Sequence, residues 1–351
     1  MTDRRLPSPR CNAAPDAASQ HARKRARDLT AWIVAAVATA AWLVTACSSV
    51  RVEPRLRDGP PDDAPGSALP VARLAPGVYV HVGRQEDSNP LNAGDIANNG
   101  FIVGSRCTAV IDTGGSLQVG ERLRTAIRAI TATPICYVIN THMHPDHVLG
   151  NAAFAPDHPQ FIGHAHLAAA LAAREQAYLR AARRDLGAAG ESAAIIPPTR
   201  SVSDSVRLDL GDREIELRAW PTAHTDNDLT VFDPGSGTLF AGDLLFVGRI
   251  PALDGSLRGW AAAGAELERL APDRVVPGHG PPDADWRTAL AAQQRYLSAL
   301  LDGTRAALRA HRTLAQATDE VATQERGRWL LFEGYHRRNV TAAFAELEWE
   351  D

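Results

Sequence analysis

The segment THMHPDHVLGN, residues 141–151, sets three histidines and an aspartate between His142 and His147, in a chain that has 12 histidines in all. Neutral imidazole and carboxylate are the usual ligands of a borderline cation such as Zn²⁺, so this density is first of all a metal-site pattern. A polar loop accommodates one or two such histidines and a core accommodates one. Three at the end of an apolar run need a further reason. His142 and His144 alternate, which in extended chain points both rings toward one ion. Asp146 and His147 follow Pro145, which turns the backbone and directs them to a second centre.

Two ions need further ligands, and similar junctions supply them. His224 in PTAHTDND follows REIELRAW, Asp243 in FAGDLLF follows TLFAG, and His279 in VVPGHGP follows RVVPG. Each ends an apolar run beside small or turn-forming residues that let backbone and ion approach closely. Alone, each reads as a cap or surface loop; with the cluster they complete a set of seven candidate ligands. Paired divalent ions lower the pKa of a bridging water and stabilise oxyanion charge, so hydrolysis is the natural chemistry, with Asp146 as proton acceptor and donor. Asp228, four residues after His224, reads either as a carboxylate orienting a ligand imidazole or as a polar residue opening the strand LTVFD. His164 and His166 also alternate, but with the set complete they are expected at the rim or behind the ligands rather than on a metal. Arg174, Tyr178 and Arg180 are read as the solvated face of a helix.

The elements that must position these residues follow from apolar periodicity. GVYVHVG, GFIVG and TAVID are predicted strands, Leu117 to Ile130 a helix, and ICYVIN a strand that stops where the histidine cluster begins. A second series follows: a strand at 160–163, a long alanine-rich helix from His166 to Arg184, then strands VRLDLG, REIELRAW, LTVFD and TLFAG. A helix from Leu257 to Leu270 and the short strand RVVPG complete it, and from Asp285 onward the chain reads as helical. Interleaved strands and helices predict an α/β class with layered packing, and in such folds functional residues concentrate at the carboxyl ends of strands.

At 351 residues and 45% hydrophobic, the chain can bury a sizeable core. Residues 1–46 carry seven Lys and Arg against three Asp, so the rest is more acidic than the net charge of −4 indicates, which argues against a nucleic-acid partner. Behind Lys24–Arg27, the apolar run from Leu29 to Ala46 reads as a secretory signal. It ends in Val44-Thr45-Ala46-Cys47, which resembles a bacterial lipobox with Cys47 as the acylated first residue; a retained membrane helix is the alternative. The expected organisation is a signal over 1–46, a Pro- and Asp-rich tether over 47–72, a catalytic domain over 73–284 and helices over 285–351 packed on it. The product is expected to be periplasmic and lipid-anchored to a bacterial membrane. Cys107 and Cys136 stand near the starts of two predicted strands; buried free thiols are expected, with a disulfide as the alternative in an exported protein.

HxHxDH, then His, then GD, then GHG, in this order over roughly residues 75–285, resembles the metallo-β-lactamase-fold hydrolases. The resemblance implies an αβ/βα sandwich, a four-layer α/β fold with two metals at the edge between two sheets. It implies that His142, His144 and His224 hold the first metal, that Asp146, His147 and His279 hold the second, and that Asp243 bridges them. Asp112, in VIDTGGS, matches an aspartate that braces the histidine loop. GDIANNGFIVG, VINTHMHPDHVLGN, AHTDNDLTVFD, PALDGSLRGW and RNVTAAFAELEWE extend the resemblance to the quinoprotein relay system zinc metallohydrolases, a subgroup associated with periplasmic alcohol oxidation by pyrroloquinoline-quinone enzymes and their cytochromes.

The function this implies is a dinuclear zinc hydrolase, with Fe or Mn as other candidate metals, that uses a metal-bridging hydroxide on an ester, thioester or lactone. A β-lactamase is an alternative, against which stands Asp243, since a bridging carboxylate is typical of the glyoxalase II-like hydrolases. A mononuclear-iron persulfide dioxygenase would use two histidines and one aspartate, and a non-catalytic accessory protein of the same fold is the last alternative.

Overall fold

The computed structural model describes residues 66–282 and 284–350. The expected signal over 1–46, Cys47 and most of the expected tether lie outside these residues.

Two sheets form the frame. The seven-stranded sheet has the order β1 (Ala72–Ala75), β2 (Val78–His81), β3 (Asn99–Val103), β4 (Thr108–Ile111), β5 (Ile135–Ile139), β6 (Gln160–His164) and β7 (Arg200–Val202). It is antiparallel from β1 to β4 and parallel from β4 to β7. The five-stranded sheet has the order β12 (Arg274–His279), β11 (Thr238–Phe246), β10 (Leu229–Asp233), β9 (Glu214–Ala219) and β8 (Ser205–Asp209), with only β11 and β12 parallel.

The helices are α1 (Leu117–Ile130), α2 (Pro145–Val148), α3 (Leu167–Leu186), α4 (Ala188–Glu191), α5 (Leu257–Leu270), α6 (Trp286–Arg309), α7 (Leu314–Glu320) and α8 (Phe332–Leu347). Three apolar clusters define the layering, because alternate residues of a strand face opposite sides. Ile102, Ala109, Ile111 and Ile139 of the first sheet meet Ile215, Leu217, Val231 and Phe240 of the second. The intervening Phe101, Val110 and Val138 turn outward onto Val119, Leu123 and Ile127 of α1. On the far side of the second sheet, Leu239, Ala241 and Leu245 pack on Trp260 of α5, Leu297 and Leu300 of α6 and Val340 of α8. Helix, sheet, sheet and helix are thus the four layers of the expected αβ/βα sandwich, and the C-terminal helices belong to its outer layer.

Start signals explain the sharpest boundaries. Ser116 caps α1 by accepting from the Val119 amide at 3.2 Å, and Ser256 caps α5 through Gly259 at 3.0 Å. Leu69, within the expected tether, is buried, and its amide donates to Arg122 O at 3.1 Å. The strand at TLFAG is also longer than expected. It continues through Asp243 to Phe246 as an irregular strand, with a register shift against β12 on either side of Gly242.

The expectation of free thiols is overturned. Cys107 and Cys136 form a disulfide with Cα atoms 5.5 Å apart, and neither residue is fully buried. β4 and β5 are adjacent parallel strands, and similar depth along them brings the two thiols together.

Candidate metal centre

Strand ends carry the histidine loop and its support. β4 ends at Ile111, and Asp112 follows with φ of 55°, a left-handed conformation that aspartate tolerates better than most residues. Its carboxylate accepts from the Thr141 amide, the Thr141 hydroxyl and His147 Nδ1, each at 2.8 Å. Pro145 is the first residue of the helical turn α2, so Asp146 and His147 leave the extended course of His142 and His144.

Five imidazoles and two carboxylates converge here from two loops, the helical turn α2 and two strands. One group is His142, His144, His224 and Asp243; the other is Asp146, His147 and His279; within each, one ligand atom per residue lies within 4.8 Å of the rest. His144 Nδ1 is 3.1 Å from His142 Nε2 and 3.0 Å from His224 Nε2. Ligand atoms around a tetrahedral ion with bonds of roughly 2.0–2.1 Å stand about 3.3 Å apart, so this spacing suits one cation.

The outward nitrogens decide what the inward ones can do. His142 Nδ1 faces Thr141 Oγ1 at 3.0 Å, whose own proton goes to Asp112. His144 Nε2 meets Asp254 Oδ2 at 3.1 Å, His147 Nδ1 meets Asp112, and His279 Nδ1 meets Ile96 O at 2.8 Å. Each outer nitrogen donates to an oxygen, leaving a lone pair turned inward on four separate rings. Arg249 Nη1 also lies 3.4 Å from His279 Nδ1, but a nitrogen that donates to Ile96 cannot accept from it. His147 Nε2 and Asp243 Oδ1 are buried with no hydrogen-bond partner, 3.3 Å apart. Buried polar atoms are rarely left so, and a divalent cation is the partner this donor set fits.

Asp243 faces both groups. Its Oδ2 lies 3.3 Å from His224 Nε2 and 3.4 Å from His279 Nε2, while its Oδ1 turns to His147. The strand β12 passes so close that a Cβ on Gly278 would stand 1.8 Å from Asp243 Oδ1, which only glycine avoids. Burial pushes His142 well below its ordinary pKa and His224 down to about 3, so both are neutral, as metal ligation requires. Burial also lowers His147 and His279, but the surrounding carboxylates, Asp243 first, outweigh it and raise both; Asp146 and Asp243 are held below the usual carboxylate range by these histidines despite their burial.

Several contacts went beyond sequence reasoning. Asp254, the carboxylate that meets His144 among the described residues, also receives Arg174 Nη2 at 3.2 Å, so Arg174 is not a purely solvated side chain. The loop carrying Asp254 is held by α8: Asn339 accepts from the Leu253 amide and donates to Pro251 O, and Glu346 accepts from Ser256 and the Leu257 amide. Asn98 clamps the other side, donating to Pro277 O and Gly280 O around His279. Asp228 accepts from the amide and hydroxyl of Thr225 at 2.9 and 2.6 Å. It braces the turn after His224 and bonds no ligand imidazole, so the orienting role considered for it is corrected. His164 and His166 join neither group.

A cavity of about 750 Å³ opens on both groups. Tyr178, Ala181 and Leu186 of α3 line one part of its wall, Tyr335 and Arg338 of α8 another, and Arg249 and Leu253 a third. Buried Arg249 donates to Tyr335 Oη at 2.9 Å, which donates in turn to Asp87 at 2.7 Å.

The family model "Metallo-beta-lactamase superfamily" matches residues 93–279, and no curated protein matches the chain. Among solved structures, a metallo-beta-lactamase from Pontibacter korlensis is 20% identical with a TM-score of 0.52, over 66% of this chain and 99% of that one. The stereoselective inverting sec-alkylsulfatase Pisa1 from Pseudomonas sp. is 18% identical with a TM-score of 0.61, over 80% of this chain and 50% of that one. At these identities the likeness is one of fold.

Proposed function

Because this chain belongs to the metallo-β-lactamase superfamily, we propose that it is a dinuclear metal-dependent hydrolase of an ester, thioester or lactone. The observation that carries the reading is the pair of ligand groups with Asp243 turned to both. His142, His144 and His224 would hold one ion, Asp146, His147 and His279 the other, and Asp243 would span them, with zinc the metal best suited to this nitrogen-rich set and iron or manganese the other candidates. When bound, two such ions supply a water that is deprotonated near neutral pH and offset negative charge on the substrate oxygen.

The protein's own groups do the rest. Asp146 is the carboxylate of the set most open to the cavity, its side chain 16% exposed against 4% for Asp243. It takes the proton of the attacking water at a carboxylate oxygen and returns it to the leaving oxygen or sulfur as the acyl bond breaks. Asp112, Asp254 and the Ile96 carbonyl hold the ligand rings in one tautomer and one direction, so little reorganisation is needed when substrate enters.

Asp243 favours this reading over a β-lactamase. Metal analysis of the purified body, followed by a screen of ester, thioester, lactone, lactam and sulfate-ester substrates, tests it. Two ions per chain and acyl-bond hydrolysis are expected. A single tightly held iron with sulfur-oxidising activity would replace it by the dioxygenase reading, and two ions without turnover of any class would favour the accessory protein.

We also place the protein in the periplasm, anchored through Cys47. The Cys107–Cys136 bond supports an oxidising compartment, and the apolar run ending at Cys47 supports export. Cys47→Ser is expected to block processing and release the anchor; unchanged mass and membrane association would favour the retained helix. The quinoprotein relay subgroup, with a partner in periplasmic alcohol oxidation, rests on the segments that resemble it, GDIANNGFIVG and PALDGSLRGW among them. Co-purification with a pyrroloquinoline-quinone dehydrogenase or its cytochrome tests that link.

A further inference from the structure

Tyr178 stands on α3, and its ring packs against the cluster formed by Met143, Val148, Leu167 and Leu171. Met143 lies between two of the candidate ligands and Val148 directly follows a third, so the ring is fixed to the same loop that carries the centre. The Tyr178 hydroxyl oxygen is buried and has no hydrogen-bond partner, although the residue lines the cavity with His144, Asp146 and Asp254. Leaving a buried polar group unpaired costs about 1–3 kcal/mol, so such a group in a native fold calls for an explanation.

The neighbouring charges do not provide it. Arg174, Asp254 and Asp146 are the charged groups that act on the hydroxyl. Asp254 is engaged by His144 and Arg174, and Asp146 turns its Oδ2 to His279 at 3.3 Å. Burial raises the Tyr178 pKa above that of free tyrosine, so the group keeps its proton through the neutral range. It is a neutral donor, seated by its packed ring in the wall of the cavity that opens on the centre.

Resting on the hydrolase reading above, we propose that the Tyr178 hydroxyl donates a hydrogen bond to the acyl oxygen of the bound substrate, where negative charge grows as the acyl carbon becomes tetrahedral. Donors aimed at such an oxygen act most strongly where charge develops, and the apolar seat of the ring holds this hydroxyl in the wall of the cavity that receives the substrate. Tyr178 is then a catalytic residue, and its hydroxyl selects substrates with an acceptor at the reacting carbon.

Tyr178→Phe removes one oxygen and keeps the ring in its apolar seat. The variant is to be loaded with zinc, its metal content and melting temperature measured, and two probes used: hydrolysis of 4-nitrophenyl acetate, and calorimetric binding of phenylphosphonate as a tetrahedral oxyanion mimic. Unchanged metal content is expected, with kcat for the ester lowered by about 100-fold and KM changed far less. Phenylphosphonate should bind about 10-fold more weakly. The proposal is overturned if phosphonate affinity and kcat stay within about twofold of wild type, or if the loss follows lost metal, which would make Tyr178 a packing residue of the histidine loop. Should wild type bind the phosphonate yet leave this ester intact, the binding comparison decides alone. Should metal-loaded wild type neither bind the phosphonate nor hydrolyse any acyl substrate, the hydrolase reading itself fails, and the proposal with it.

Discussion

Asp254 and His144, 110 positions apart, meet at 3.1 Å between Oδ2 and Nε2, and this contact turns the other ring nitrogen of His144 toward His142 and His224. The carboxylate therefore sets which nitrogen can ligate, without touching the ion position itself. Its own place is set by α8 through Asn339 and Glu346, so the C-terminal helices reach the centre through one loop.

Asp254→Ala is expected to weaken the first ion by roughly 10- to 100-fold, the usual cost of removing a group behind a ligand imidazole. Arg174→Ala, which removes only the outer partner of Asp254, should cost less. Zinc titration against a competing chelator checks both, and retention of the second ion at wild-type affinity in Asp254→Ala would locate the effect at His144.

Asp243→Asn keeps the shape of the side chain but removes the charge that both groups share. The second ion should be lost or weakened and hydrolysis should fall by orders of magnitude, because two cations without the intervening carboxylate repel one another. His142→Ala should instead damage the first site and His279→Ala the second. An Asp243→Asn protein that still holds two tightly bound ions per chain would refute the shared role.

These seven candidate ligands were legible in the sequence because each lies at or beside a strand end, where a local motif records a place in the fold. Asp112 was legible for the same reason. Asp254 and Tyr178 were not: one sits in a loop whose course depends on α8, the other on a helix whose inward residues look like any alanine-rich face. Asp228 misled because sequence proximity to His224 is not contact, and its side chain finds Thr225 first. The strand through Asp243 was cut short because Gly242, with φ of 53°, reads as a stop where the fold uses it as an irregularity.

The Cys107–Cys136 bond closes a loop spanning 29 positions between neighbouring strands. Its removal in a Cys107→Ala, Cys136→Ala double variant should destabilise the body by roughly 2–4 kcal/mol through the regained entropy of the unfolded chain. Denaturant midpoints of the two proteins measure this, and thiol counting on denatured, unreduced wild-type body should find neither cysteine free.

His81 supplies a pH dependence remote from the ligands. It is buried, with Nδ1 2.8 Å from Pro70 O and Nε2 2.7 Å from Asp95 Oδ1. Burial pushes its pKa down, but the Asp95 charge and the hydrogen bonds to Asp95 and Pro70 outweigh this, and the value is raised above the ordinary 6.5. Only the protonated ring donates to both oxygens; the neutral ring must set a lone pair against one of them. A raised folded-state pKa contributes stability that is fully present below 6.5 and is lost as pH rises through the folded value. His81→Gln offers fewer donors and no charge, so its melting temperature should fall furthest below wild type on the acid side of 6.5 and approach it as pH rises through the folded-state value. The pair also supports Ile96, whose carbonyl receives His279, so zinc should be held less tightly in the variant. A difference in melting temperature that stays constant with pH would show that His81 acts by packing alone.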